Sequence, residues 1–211
     1  ASDPNDREFE LKKAAISIDL VIHRLQTLER TLKAQADTHF KQTVESVQKG
    51  ENARATIYAD EVASLRNLSQ KLYYAETILE RVKTRFEVAS IVSPIGENLR
   101  VANQLLSEVR TTFSSLSLSL NEIADIHDEV NEVMKITEAR EAPGISVIGE
   151  PEKEEVKEIL SQAQARAAER IAKEFPPVPT EAMMPEASLE DRLYEYLVKR
   201  EGALSLSEAS Y

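Results

Sequence analysis

The sequence predicts an all-α fold: a long antiparallel helical hairpin, additional helices behind it, and a short fragment of mixed character at the C-terminus. Three observations predict it. Of 211 residues, 42% are hydrophobic and 30% charged, with only five Gly and no Trp, which is the repertoire of long helices and coiled coils. Apolar residues recur three or four apart over long stretches, the period of a helix face. Pro and Gly fall at the ends of those stretches rather than inside them, where they act as helix stops.

The first stretch covers residues 6–48. Asp6 is its expected N-cap, and Leu11, Ala15, Ile18, Ile22, Leu25, Leu32, Ala36, Phe40, Val44 and Val47 form its seam. At 1.5 Å per residue such a helix is roughly 65 Å long. Gly50 ends it, because glycine readily takes the left-handed cap. A second helix opens near Asn52 with the seam Val62, Leu65, Leu68, Leu72, Ala75, Leu79, Val82, Phe86 and Ala89. From Leu65 the spacing alternates three and four, a heptad suited to packing on another helix. The short turn leaves little choice but a hairpin, over residues 6–89.

Ser93-Pro94-Ile95-Gly96 interrupts the pattern, since proline removes a backbone donor. The heptad resumes with Leu99, Ala102, Leu106, Val109, Phe113 and Leu116, then Leu120, Ile123, Ile126, Val130 and Val133. Further helices are therefore expected over 95–137, completing a helical core over 1–137. Residues 111–119 are rich in Ser and Thr, mediocre helix formers, so the helix bends or melts most cheaply there. An ordinary helix with a Ser-rich exposed face fits the same residues. Pro143-Gly144 and Gly149-Glu150-Pro151 mark a linker over 138–151, and a helix is expected over 152–174. Phe175-Pro176-Pro177-Val178-Pro179 cannot be helical and opens an extended segment over 175–187. In 188–211, Ser188 is an N-cap with Asp191 at the third helical position. Leu189, Leu193, Tyr196 and Leu197 share a face, Gly202 closes that helix, and Ala203 to Leu206 alternate like a strand.

The net charge of −11 is unevenly placed. Residues 1–49 carry 8 basic and 8 acidic groups and residues 50–100 carry 7 and 7, while residues 142–211 carry 8 and 14. An acidic second half argues against nucleic-acid binding, which needs cations to neutralise phosphates. There is no Cys, hence no disulfide and no thiolate metal site. The first residues lack the basic and apolar regions of a secretory signal, and no run of about 18 apolar residues occurs. The chain opens on Ala rather than Met, as a fragment would. None of His23, His39 and His127 has a second His at ligand spacing. His127 lies among Asp125, Asp128 and Glu129, but consecutive residues point to different helix faces, so these read as a solvated face. No phosphate loop or nucleophile elbow is present. The expectation is a non-enzyme without cofactor. On a helical wheel Lys12, His23, Arg30 and Lys41 lie within roughly 20° of one another, with Asp19 and Asp37 near the same line. That stripe is either a contact for anionic lipid, with Lys12, Arg30 and Lys41 as its cations, or an ordinary solvated face.

The segment Asn52-Ala53-Arg54-Ala55-Thr56-Ile57-Tyr58-Ala59-Asp60-Glu61-Val62-Ala63-Ser64-Leu65-Arg66 resembles the A-R-x-Y-A-x-E-x-x-x-x-R signature that opens helix two of ESCRT-III proteins. The order of hairpin, further helices, linker and proline-bearing tail is similar too, most closely to the archaeal cell-division members. The resemblance implies an ESCRT-III core whose subunits form homo- and hetero-polymers that remodel or cut membranes. It implies a cytoplasmic protein at the inner face of the cell membrane, at the division site. Phe175, Pro176, Pro177, Val178 and Pro179 would then form a proline-rich MIT-interacting motif for the MIT domain of the AAA ATPase CdvC, following a regulatory helix over 152–174. Residues 188–211 would be part of a winged helix, with Leu193, Tyr196 and Leu197 meeting the partner CdvA. Ile57, Tyr58, Glu61, Leu65 and Leu72 would lie either in the hairpin core or between subunits. In the expected closed state the helix over 152–173 and the stretch Asp125 to Glu132 shield the hairpin, and Pro94 to Gly96 and 111–119 are hinges. A static coiled-coil scaffold or adaptor without membrane activity shares the same heptads.

Overall fold

The computed structural model describes residues 4–91, 95–116, 128, 131–135 and 150–178. Helix α1 runs Pro4–Gln48 and α2 runs Asn52–Ile91. Helix α3 covers Ile95–Ser115 and α4 Glu150–Glu174; residues 131–135 are helical as well. Helix is the only regular secondary structure among the described residues, so the chain is all-α. The winged-helix fragment expected over 188–211 lies outside the described residues, as do most of 117–149.

The turn between α1 and α2 follows from one glycine. Gly50 has φ 73°; its N–H donates to the Val47 carbonyl at 3.0 Å, and the Glu51 N–H donates to the Ser46 carbonyl at 2.9 Å. This pair of bonds is a Schellman cap, which needs a left-handed residue at that position. Nothing lies within 4 Å of where a Gly50 Cβ would be, so conformation rather than space demands the glycine. The start of α1 differs from expectation: the helix begins at Pro4, not after Asp6, because proline's fixed φ suits a first helical position.

The chain divides into two compact units, Ala1–Thr31 with Leu68–Lys173, and Leu32–Asn67 with Glu174–Tyr211. In the first unit α1 and α2 run antiparallel. Lys83 Nζ donates to Asp19 Oδ1 at 2.6 Å, and Gln26 Nε2 donates to Glu76 Oε1 at 2.7 Å. Helix α3 is antiparallel to α2: Arg85 donates to Asn98 Oδ1 and the Tyr74 hydroxyl to Glu108, each at 3.0 Å. The expected α3 seam from Leu99 to Leu116 is buried throughout, and Val101 and Leu105 join it. That is why α2 is buried on so much of its circumference between Leu72 and Val82.

In the second unit the seam departs from expectation. Past Ala36 the buried positions are Thr43 and Ser46, not Phe40, Val44 and Val47. The heptad phase is kept, and the apolar residues fall one position off it. Thr43 tolerates burial because its hydroxyl donates to the His39 carbonyl at 2.8 Å. Opposite in sequence order stand Ala53, Ala55 and Ala59, all buried: small residues on both helices allow a narrow tip. His39 stacks on Tyr58 with centroids 5.9 Å apart.

The end of α3 bears on the expected hinge. Thr111, Thr112, Ser114 and Ser115 each turn a hydroxyl back onto a carbonyl three or four residues earlier. Such bonds compete with the helix ladder, and α3 ends at Ser115.

Candidate functional site

Helix α4 lies along α2, antiparallel to it, within the first unit. Its buried positions are Ala163, Ala167 and Ile171, a narrow stripe with two of its members no larger than a methyl group. A shallow groove of about 260 Å³ separates its first turns from α2, lined by Arg81, Arg85, Glu155 and Ile159 among others. Polar contacts supply what the stripe does not. Arg85 pairs with Glu155 at one end. At the other, Arg170 Nη1 donates to Glu76 Oε2 at 2.7 Å, its Nη2 lies 3.6 Å from Glu29 Oε2, and the guanidinium sits 3.9 Å above the Tyr73 ring.

Glu29 and Glu76 are 2% and 4% exposed. Two carboxylates buried together repel and are costly to desolvate unless a cation attends them. Arg170 is that cation, and it belongs to α4. Next to this cluster, loss of water raises the Glu80 carboxyl above its ordinary range; Glu76 adds repulsion, and Arg166, Arg170 and Arg81 oppose the rise. On the α1 side the Lys83 hydrogen bond holds Asp19 below its ordinary range. Burial raises Tyr74, helped by the charge of Glu108.

The outward face of α1 has a different character. Phe9, Ile16 and Leu20 are 67%, 63% and 57% exposed and lie within roughly 40° of one another on the helical wheel. Lys12, Lys13, His23, Arg24 and Arg30 are exposed around them. Between Phe9 and Thr31 every exposed residue of α1 is uncharged or basic, and the acids Glu10, Asp19 and Glu29 are half-buried or buried. Asp19, which diluted the stripe on paper, is bonded to Lys83 of α2.

In the second unit the chain leaves α4 as a non-helical stretch. Phe175 is 4% exposed, Pro176 half-buried, and Pro177 and Val178 exposed. Arg66 of α2 donates to the Phe175 carbonyl at 3.2 Å and to the Pro176 carbonyl at 2.5 Å.

Lys12, Arg30 and Lys41 are all on the surface, and Lys12 pairs with Glu8 at 2.5 Å. Ile57 and Glu61 are exposed, Tyr58 and Leu65 half-buried, and Leu72 fully buried. Pro179, Leu193, Tyr196 and Leu197 lie outside the described residues. Sequence reasoning missed Glu29, Glu76 and Arg170. A signal existed: the α1 seam steps from Leu25 straight to Leu32, and the skipped heptad position is Glu29. It missed Phe9, Ile16 and Leu20 as well, large apolar residues standing off the seam.

Two known proteins of Sulfolobus acidocaldarius are similar to most of this chain. Cell division protein B1 is 27% identical over 176 residues, 82% of this chain and 77% of that protein. Cell division protein B is 25% identical over 185 residues, 82% of this chain and 67% of that protein. No family model matches the chain, and no solved structure matches it.

Proposed function

We propose that this chain, similar over 82% of its length to two cell division proteins, is itself a cell division protein that assembles into filaments for membrane remodelling and scission, and that an AAA ATPase takes those filaments apart by gripping the C-terminal tail. The outward face of α1 is the observation that carries this reading. Exposed Phe9, Ile16 and Leu20 flanked by Lys and Arg are what a helix needs to lie in a lipid interface, apolar side chains among the acyl boundary and cations among the headgroups. Near an anionic surface each cation contributes about 1 kcal/mol. In a chain of net charge −11, a face whose neighbouring acids Glu8 and Asp19 are each paired with a lysine is the part able to approach such a surface. The protein would work at the inner face of the membrane at the division site, and no described helix is long and apolar enough to cross a membrane.

The way α4 is held supports polymerisation. An α4 held by few apolar contacts and a polar cluster can leave the hairpin at modest cost, and a seam covered by its own chain or by a neighbour has two accessible arrangements. Copies of this chain and its paralogues would supply the neighbour. The tract from Phe175 to Pro179 would dock in the MIT domain of the ATPase as an extended, pre-ordered peptide, and residues 188–211, with Leu193, Tyr196 and Leu197, would meet CdvA.

Flotation of the purified chain with vesicles of anionic or neutral phospholipid, followed by negative-stain microscopy, tests this. The chain is expected to float with anionic vesicles and to form filaments on them, and the combined variant Phe9→Ser, Ile16→Ser, Leu20→Ser to stay unbound with unchanged circular dichroism. Equal flotation of variant and parent, or no flotation and no filament at any anionic content, would overturn the reading.

A further inference from the structure

We infer that Lys83 of α2 completes the outward face of α1 by neutralising Asp19, an acid in the middle of its basic row, so that the lipid-binding face belongs to the assembled hairpin and not to α1 alone. The inference rests on the reading of that face as a contact for anionic lipid.

Helical spacing sets the problem. On a 100°-per-residue wheel Lys12, Asp19, His23 and Arg30 fall within roughly 40° of one another. At 1.5 Å per residue Asp19 stands roughly 10 Å past Lys12 and roughly 16 Å before Arg30. Glu29 is a lesser concern, since it is only 2% exposed. Asp19 is different: its side chain is 39% exposed, on the line of the cations. A bare carboxylate there would cancel one of them toward phosphate headgroups, where each unit charge changes affinity by about five-fold.

Lys83 reaches across from α2 and removes that cost. Its Nζ donates to Asp19 Oδ1 at 2.6 Å. This hydrogen bond, more than any other cause, holds the Asp19 carboxyl below its ordinary range; loss of water opposes it, and the charges of Lys83 and His23 add to it. His23 Nδ1 lies 3.7 Å from the other carboxylate oxygen, Oδ2. Asp19 is thus ionised and neutralised in one place, and the pair brings no net charge to the surface. An amphipathic helix acting alone would present its whole charge set to lipid; here the second helix of the hairpin subtracts one member. Lys83 is therefore a positioning residue that acts through Asp19 and need not touch lipid itself. A hairpin parted at this level would bare Asp19 and weaken its own hold on the membrane.

The test titrates the full chain with vesicles of phosphatidylglycerol and phosphatidylcholine in equal parts and reads the bound fraction by flotation. The parent is compared with Lys83→Met, with the double variant Lys83→Met, Asp19→Asn, and with Lys157→Met. The last bares Glu154, the partner of Lys157 at 2.8 Å on α4, with the same change in net charge. Lys83→Met is expected to bind about five-fold more weakly, the double variant to return to within about two-fold of the parent, and Lys157→Met to stay with the parent. The double variant has no Lys83–Asp19 bond, so its recovery belongs to charge and not to a repaired hairpin. Lys83→Gln stands in for the methionine variant, alone and with Asp19→Asn, if that one loses its helical circular dichroism. Unchanged binding by the Lys83 variant overturns the inference. So does a double variant as weak as Lys83→Met, which would make the bond structural, or a Lys157→Met as weak, which would make the effect one of net charge. In each of those cases the parent still floats and the lipid reading stands; a parent that binds no anionic vesicle overturns both.

Discussion

Helices α3 and α4 both lie on α2, yet they are attached by different means. Helix α3 offers Leu99, Val101, Ala102, Leu105, Leu106, Val109 and Phe113, all buried. Burial of large apolar side chains contributes about 1.5–3 kcal/mol each, and none of it depends on a particular hydrogen bond. Helix α4 offers two alanines and an isoleucine, then makes up the difference with Arg170 among Glu76, Glu29 and Tyr73. Apolar area holds an element permanently because its only alternative is exposure to water. A charge cluster is different, since each member is well solvated once it separates. The pair teaches that one helix is core and the other is a clasp.

The comparison can be broken or sharpened by substitution. The largest effect is expected at Phe113, fully buried in α3: Phe113→Ala should cost about 3–5 kcal/mol. It should lower the urea midpoint of the hairpin and α3 together. Loss of α3 signal alone, with the hairpin intact, would show that α3 is no more integral than α4.

A smaller and more local effect is expected at Arg170. Arg170→Met keeps the stem and removes the charge, leaving Glu29 and Glu76 buried without it. The undocking of α4 should become easier by about 2 kcal/mol, the scale of charged hydrogen bonds at a partly exposed site. Hydrogen exchange should quicken across Ala163 to Ile171, while the hairpin amides barely change, because an α4 that lifts lets water reach both carboxylates. If exchange quickened equally in α1 and α2, the cluster would be core rather than clasp.

The smallest effects are those of pH, and their signs differ between the two places. Asp19 lies below its ordinary value of 3.8, so its contribution between α1 and α2 is present above that value and fades as pH falls through its own lower one. Asp19→Asn should therefore flatten the acid limb of the stability curve. Glu80, facing Arg166 and Arg170 of α4, lies above its ordinary value. Its contribution is present at acid pH and is lost as pH rises through that raised value, so Glu80→Gln should remove a loss seen toward neutrality. Midpoints measured across pH 3 to 7 for both variants check the pair of signs.

Much of this was legible in the chain and some was not, for identifiable reasons. The hairpin, the Gly50 turn, the break before α3 and the helix ending at Glu174 were readable because Gly, Pro and heptad spacing act locally; that helix opens at Glu150, with Pro151 in its first turn, where the linker over 138–151 was expected to continue. The drift at the tip was not, because Thr43 and Ser46 are polar by composition and become core only through a narrow partner helix and a backbone hydrogen bond. The clasp was hidden for a related reason: Glu29 and Glu76 look like surface residues until Arg170, far along the chain, is set beside them. Arg66 stood in plain view as the last residue of a recognised segment, but nothing local to α2 says that its guanidinium reads carbonyls from residues 175 and 176.

The cap at Gly50 has a practical corollary. Its restriction is one of handedness, since a side chain there would meet no atom and only the left-handed twist, costing roughly 1–2 kcal/mol for most residues, excludes it. Chirality, then, is the sole filter at that point of the bend. A mirror-image amino acid built in by chemical ligation would satisfy it at no strain, and could carry a dye or a crosslinker outward from the bend of the hairpin, where no atom lies within 4 Å of its Cβ.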